Sequence, residues 1–80
     1  MGLELKIVSP EKVEYEGQVD RVIVPGTVGQ FEILANHAPI ISTLEKGRVI
    51  YHDSEGTHEL KVSMGFVEVQ KNKVNICVEL

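Results

Sequence analysis

Eighty residues, 42% of them hydrophobic, suffice for one domain spanning 1–80 and one core, but leave no room for a deep ligand cavity as well. Twelve acidic residues scattered among eight basic ones give a net charge of −4, which excludes the clustered positive surface that nucleic acid requires. Cys77 is the one cysteine, so no internal disulfide is expected, and with no secretory leader ahead of the first strand-like run the expected compartment is reducing. No run approaches the roughly 20 apolar residues needed to cross a bilayer, so any membrane connection is expected to go through a partner.

The dominant period is two. Leu3, Leu5 and Ile7 alternate with Glu4 and Lys6, and Val13 and Tyr15 alternate with Lys12, Glu14 and Glu16. "VDRVIVPG" follows, with Val22 and Val24 as the inward set and Ile23 outward. Phe31 and Ile33 alternate with Gln30 and Glu32. "RVIYHD" and "THELKV" flank Ser54-Glu55-Gly56, read as a three-residue hairpin loop with Gly56 left-handed. Leu60 and Val62 face inward, Met64 and Phe66 have the opposite parity to Val67 and Val69, and Val74, Ile76 and Val78 form the last apolar row. Turn signals at Ser9-Pro10, Gly17, Pro25-Gly26, Gly29, Asn36 to Pro39, Lys46-Gly47, Ser54 to Gly56, Gly65 and Asn72 divide the chain into about eight to ten short strands. The predicted fold is all-β: two packed sheets or a flattened barrel.

Few residues form chemical constellations. There is no G-x-S-x-G elbow, and Cys77 lies in an alternating strand, so a nucleophilic triad is not indicated. His52 and His58 are expected to face each other across the Gly56 hairpin near Asp53 and Glu55, but no third metal ligand has a fixed place and the pair reads as solvated polar groups. "PGTVGQF" lacks the P-loop and dinucleotide patterns, so Gly26 and Gly29 are read as positive-φ positions projecting Thr27, Val28 and Gln30. In "ANHAP", Asn36 suits the left-handed region and Pro39 holds Ala38 extended, which fixes His37 at a corner. His37 is either satisfied by nearby carbonyls or a recognition residue on a shaped edge. Residue chemistry alone does not separate the two.

The segments "VSPEKVEYEGQVDRVIVPGTVGQFEILANHAPIISTLEKGRV" and "VSMGFVEVQKNKVNICV" resemble the N-terminal domain of the ε subunit of F-type ATP synthases, from about Leu3 to Leu80. The specific parts are the opening "VSPE", the G-x-x-G-x-x-x-[IL] loop leading into "NHAPII", the "KG" before "RV", and S-x-GF-x-EV before "NKV". Two features depart from the family pattern: Ala35-Asn36 stands where members usually have Pro-Gly, and Glu32 where they often have Gly.

The resemblance implies a ten-stranded β-sandwich in the central rotor stalk, non-catalytic and without a cofactor, on the cytoplasmic face of the bacterial membrane. It implies two partners. The γ subunit would contact Ser9, His37 and Ser42, and the proteolipid ring would contact Thr27, Val28, Gly29, Gln30 and Phe31. The family typically continues into a C-terminal pair of helices, and the expectation is that this polypeptide lacks that helical brake. The competing reading is a ligand- or carbohydrate-binding sandwich module, disfavoured because only two Tyr, two Phe and no Trp are present and Tyr15, Phe31 and Tyr51 fit inward rows. A metal-dependent small-barrel enzyme ranks below it.

Overall fold

Alternation becomes structure almost everywhere it occurs. The computed structural model describes residues 2–80 and contains nine strands. They are β1 (Leu3–Val8), β2 (Val13–Val19), β3 (Arg21–Gly26), β4 (Gly29–Leu34), β5 (Ile40–Leu44), β6 (Gly47–Asp53), β7 (Gly56–Val62), β8 (Met64–Gln70) and β9 (Lys73–Glu79). Nine falls within the number that turn spacing predicts and is one fewer than the resemblance implies.

All nine strands belong to one hydrogen-bonded sheet: eight follow the path β2-β1-β9-β8-β5-β3-β6-β7, and β4 pairs with the free side of β3. The path curls so that the β2-β1-β9-β8-β5 half lies against the half made of β4, β3, β6 and β7. The two halves are joined between β5 and β3 by one register pair, Gly26 with Leu44. On the far side, Tyr15 of β2 meets Tyr51 of β6 with ring centroids 4.4 Å apart. The first and last strands, β1 and β9, pair in parallel from Glu4–Lys73 to Val8–Cys77; the other pairings are antiparallel.

Between the halves lies a dry core. Leu3, Leu5, Ile7, Val22, Val24, Ile33, Val49, Val67 and Val74 are wholly buried, and Tyr15, Phe31, Ile40, Tyr51 and Leu60 pack around them. No polar side chain is buried among the described residues. β-Branched Val and Ile dominate because their stiff side chains fit a pleated, half-buried surface.

Four expectations are corrected. Val13 is 48% exposed, not inward: Ile7 pairs with Tyr15 but Val8 with Val13, and the extra residue, Glu14, is a bulge that reverses the parity of Val13. Gly17 and Gly65 are not turns. They lie inside β2 and β8, where a side chain would collide with the Tyr15 hydroxyl and with the Cys77 carbonyl oxygen respectively. The β6–β7 loop has two residues, Ser54 and Glu55, because Gly56 pairs with Asp53 as the first residue of β7, although its φ of 120° is positive as anticipated. Gly29 has φ 140°, whereas Gly26 is not among the positive-φ positions; its constraint is space, with the Phe31 ring lying against it.

Candidate docking surfaces

Two exposed features are shaped by backbone geometry. The first is the corner between β4 and β5. Asn36 has φ 66°, the left-handed conformation anticipated for it. Its N–H donates to Asn72 Oδ1 at 2.6 Å, and Asn72 Nδ2 reaches back to Asn36 Oδ1 at 3.4 Å. Asn72 is itself left-handed at φ 61°, beside Lys71 at φ 53°, in the two-residue β8–β9 turn where both central residues need positive φ. Its carbonyl accepts from Glu4 N–H at 2.8 Å. The His37 N–H donates to the Leu34 carbonyl at 3.2 Å, and the His37 ring Nδ1 lies 2.7 Å from the Ala38 carbonyl. Among the described residues the other ring nitrogen has no hydrogen-bond partner.

The second feature is the β3–β4 hairpin. Gly26 pairs with Gly29, leaving Thr27 and Val28 as the two-residue tip, and Val28 is fully exposed. Thr27 donates its N–H to the Thr43 carbonyl at 3.2 Å, and the two threonine hydroxyls are 2.9 Å apart. Gly29 and Gln30 are exposed. Phe31, by contrast, is half-buried against the core opposite Val24 and anchors the hairpin from beneath.

Ser9 and Ser42 are more committed than their residue types suggest. Ser9 closes a tight turn, its hydroxyl donating to Glu14 Oε2 at 2.8 Å and its N–H to the Lys12 carbonyl at 2.9 Å. Ser42 lies in register with Val67, on the face that carries Leu44 and Val69, and its hydroxyl donates to the Thr43 carbonyl at 3.0 Å. Ser9 follows the Val8–Cys77 end of the β1–β9 ladder, while the His37 corner is clasped to Asn72 beyond the Glu4–Lys73 end. That separates the two by on the order of 15 Å at ~3.3 Å per residue. The three residues are therefore spread along the sandwich and not gathered into a pocket.

The outer face of the same half carries a feature only partly anticipated. Met64 and Phe66, flagged by parity, are 58% and 47% exposed. With Val8, Pro10 and Cys77 they line a shallow apolar groove of about 420 Å³. Val8 and Cys77 were missed because the β1–β9 pairing that brings them together joins opposite ends of the chain.

The titratable groups converge elsewhere, around Asp53. Its Oδ1 accepts from His58 Nε2 at 2.9 Å and from the Glu55 N–H at 2.8 Å, and its Oδ2 accepts from the Tyr15 hydroxyl at 3.1 Å. The His58 hydrogen bond, then the Glu55 N–H, hold the Asp53 carboxyl below the usual carboxylate range. Burial, followed by donation to Asp53, pushes the Tyr15 phenol up to about 12, and burial also raises Tyr51. His58 pairs with Tyr51, but His52 pairs with Thr57, so the two histidines point to opposite faces and do not face each other as expected. His52 instead contacts the Thr57 hydroxyl at 3.0 Å. The cluster is a clasp between β2, β6 and β7.

Residues 2–80 match the family described as ATP synthase, Delta/Epsilon chain, beta-sandwich domain. The ATP synthase epsilon chain of Leptospira interrogans is 43% identical over 77 residues, covering 96% of this chain and 61% of that one. This chain thus spans less than two thirds of that relative's length. In fold it is similar to a chain of the Euglena gracilis mitochondrial ATP synthase structure titled OSCP/F1/c-ring in rotational state 1. The TM-score is 0.89 at 19% identity, over 96% of this chain and 50% of that one. A chain of the Tetrahymena thermophila mitochondrial ATP synthase central stalk/c-ring structure gives a TM-score of 0.82 at 16% identity, over 100% of this chain and 65% of that one.

Proposed function

We propose, from the premise that this chain belongs to the ATP synthase delta/epsilon β-sandwich family, that it is a non-catalytic rotor element joining the γ subunit to the proteolipid ring. The match over residues 2–80 carries this reading. In it, the half of the sandwich bearing Ser9, His37 and Ser42 grips γ. The β3–β4 tip, Thr27 to Gln30 braced by Phe31, rests on the ring. Ion-driven rotation of the ring passes through the sandwich to γ and so to the catalytic head, and the chain operates at the cytoplasmic face of the bacterial membrane as part of that complex.

The architecture suits such a task. A close-packed interior has low compressibility and transmits strain, and this core consists of aliphatic side chains with no buried polar group among the described residues. The hairpin tip is bonded to Thr43, adjacent to Ser42, so a load on the tip reaches β5 directly through hydrogen bonds.

Native mass spectrometry of the chain mixed with the γ subunit of the same organism tests the γ side. The expected result is a one-to-one complex weakened by alanine at Ser9, His37 or Ser42. Equal affinity in all three folded variants would remove this surface from the γ interface.

A further inference from the structure

The corner holds His37 in one hydrogen-bonding state. Its Nδ1 lies 2.7 Å from the Ala38 carbonyl oxygen. A carbonyl oxygen only accepts, so Nδ1 carries the hydrogen and donates. A neutral imidazole has one N–H, which leaves Nε2 as a bare acceptor. Nε2 has no partner among the described residues, and the ring is partly exposed.

The backbone around the ring is fixed on both sides. Behind it, Asn36 N–H is bound by Asn72 Oδ1 at 2.6 Å, and the second amide contact returns at 3.4 Å. Asn72 is in turn tied to β1 through Glu4 N–H. Ahead of it, Pro39 restricts Ala38, the residue whose carbonyl receives the ring hydrogen. A glycine at position 36 could adopt the same φ and keep the backbone bond to Asn72 Oδ1, but could not return the side-chain amide contact to Asn72.

We infer that His37 meets its partner as a hydrogen-bond acceptor through Nε2, held so by the Ala38 carbonyl and the Asn36–Asn72 clasp. The matching partner group is an N–H or O–H donor and not a carboxylate or carbonyl. Asn72 is a positioning residue for that contact. The inference rests on the reading that His37 faces γ.

Two measurements test it separately from that reading. Long-range 15N–1H NMR of the free chain at pH 8.5, above the usual imidazole range, should show the Nδ1–H tautomer for His37, with Asn72→Ala mixing the two tautomers. Binding to γ should weaken about tenfold in His37→Ala, which strands the partner's donor. It should stay within about threefold of wild type in His37→Gln, whose amide oxygen offers an acceptor near the Nε2 position. An Nε2–H tautomer, or His37→Gln binding as weakly as His37→Ala, overturns the acceptor assignment and leaves the γ-facing reading in place. An unaltered tautomer in Asn72→Ala removes Asn72 from the proposal. Wild-type affinity in a folded His37→Ala overturns the inference and the γ-facing role of His37 together.

Discussion

Alkaline pH should weaken this protein through Tyr15, and Tyr15→Phe should be protected from that part of the loss. The phenol is half-buried against Tyr51 and donates to Asp53 Oδ2 at 3.1 Å. Burial first, then this bond, moves its pKa from 10.0 to about 12. The folded state therefore keeps the proton longer than the unfolded chain does. The resulting stability is fully present below pH 10 and is lost as the pH rises through 12. A shift of that size corresponds to ~2.7 kcal/mol for a fully shielded group, and solvent screening at this partly exposed ring reduces it to about 1 kcal/mol. At pH 8, Tyr15→Phe loses one charge-assisted hydrogen bond and should be less stable than wild type by about 1 kcal/mol. Asp53 keeps its bonds from His58 and Glu55 in the variant. Urea titrations at pH 8 and pH 11.5 should show the difference between the two proteins shrinking towards zero at the higher pH. Tyr51, also raised by burial, is present in both proteins. A difference of the same size at both pH values would refute the assignment of a raised Tyr15 pKa to burial and the Asp53 contact.

Acid should act through Asp53: its folded pKa is depressed, so its contribution is present above the ordinary carboxylate range and is lost as pH falls through the folded value. Melting curves from pH 6 to pH 2.5 should therefore fall less steeply for Asp53→Asn than for wild type. Gly65→Ala places a Cβ against the Cys77 carbonyl oxygen and should lower stability by about 2 kcal/mol, a Tm drop on the order of 10 °C by calorimetry. Ile76→Ala empties a core position that is 1% exposed and should cost about 2–4 kcal/mol in denaturant titration, whereas Ile41→Ala, 75% exposed, should change stability by less than about 0.5 kcal/mol. If the chain acts as the proposed rotor element, Val28→Asp should leave the melting temperature unchanged while reducing ATP-driven ion pumping in membranes carrying the reassembled complex. Undiminished pumping would remove the hairpin tip from the proposed ring contact.

The inward rows of β1, β3 and β9 were legible because a strand's two faces alternate with every residue and burial follows that period. The left-handed Asn36 was legible because few residue types tolerate that conformation. What escaped was whatever depends on a distant part of the chain. Gly65 looks like punctuation until β9 is laid beside it. Asn72 looks like an ordinary turn residue until the corner at Asn36 reaches it across 36 positions of sequence. Val13 obeys the alternation and is nevertheless turned outward, because a bulge is a mismatch between two strands and neither strand alone records it. The groove lined by Val8, Met64, Phe66 and Cys77 was hidden for the same reason: its rows run across strands, so its neighbours are set by register.

The parallel pairing of β1 with β9 has a consequence for how the molecule comes into being. β9 is an interior strand, flanked on one side by β1 and on the other by β8. While a ribosome is still adding residues, hairpins such as β3–β4 and β6–β7 have their partners close by in sequence and can form early. Leu3, Leu5 and Ile7 cannot be enclosed until Val74, Ile76 and Val78 have emerged and travelled back across the chain. Closing such a long loop carries a large entropic cost before any contact compensates for it. The cooperative step is therefore expected only once β9 has emerged, with β1 exposed to chaperones, or to a neighbouring copy's β9, until then.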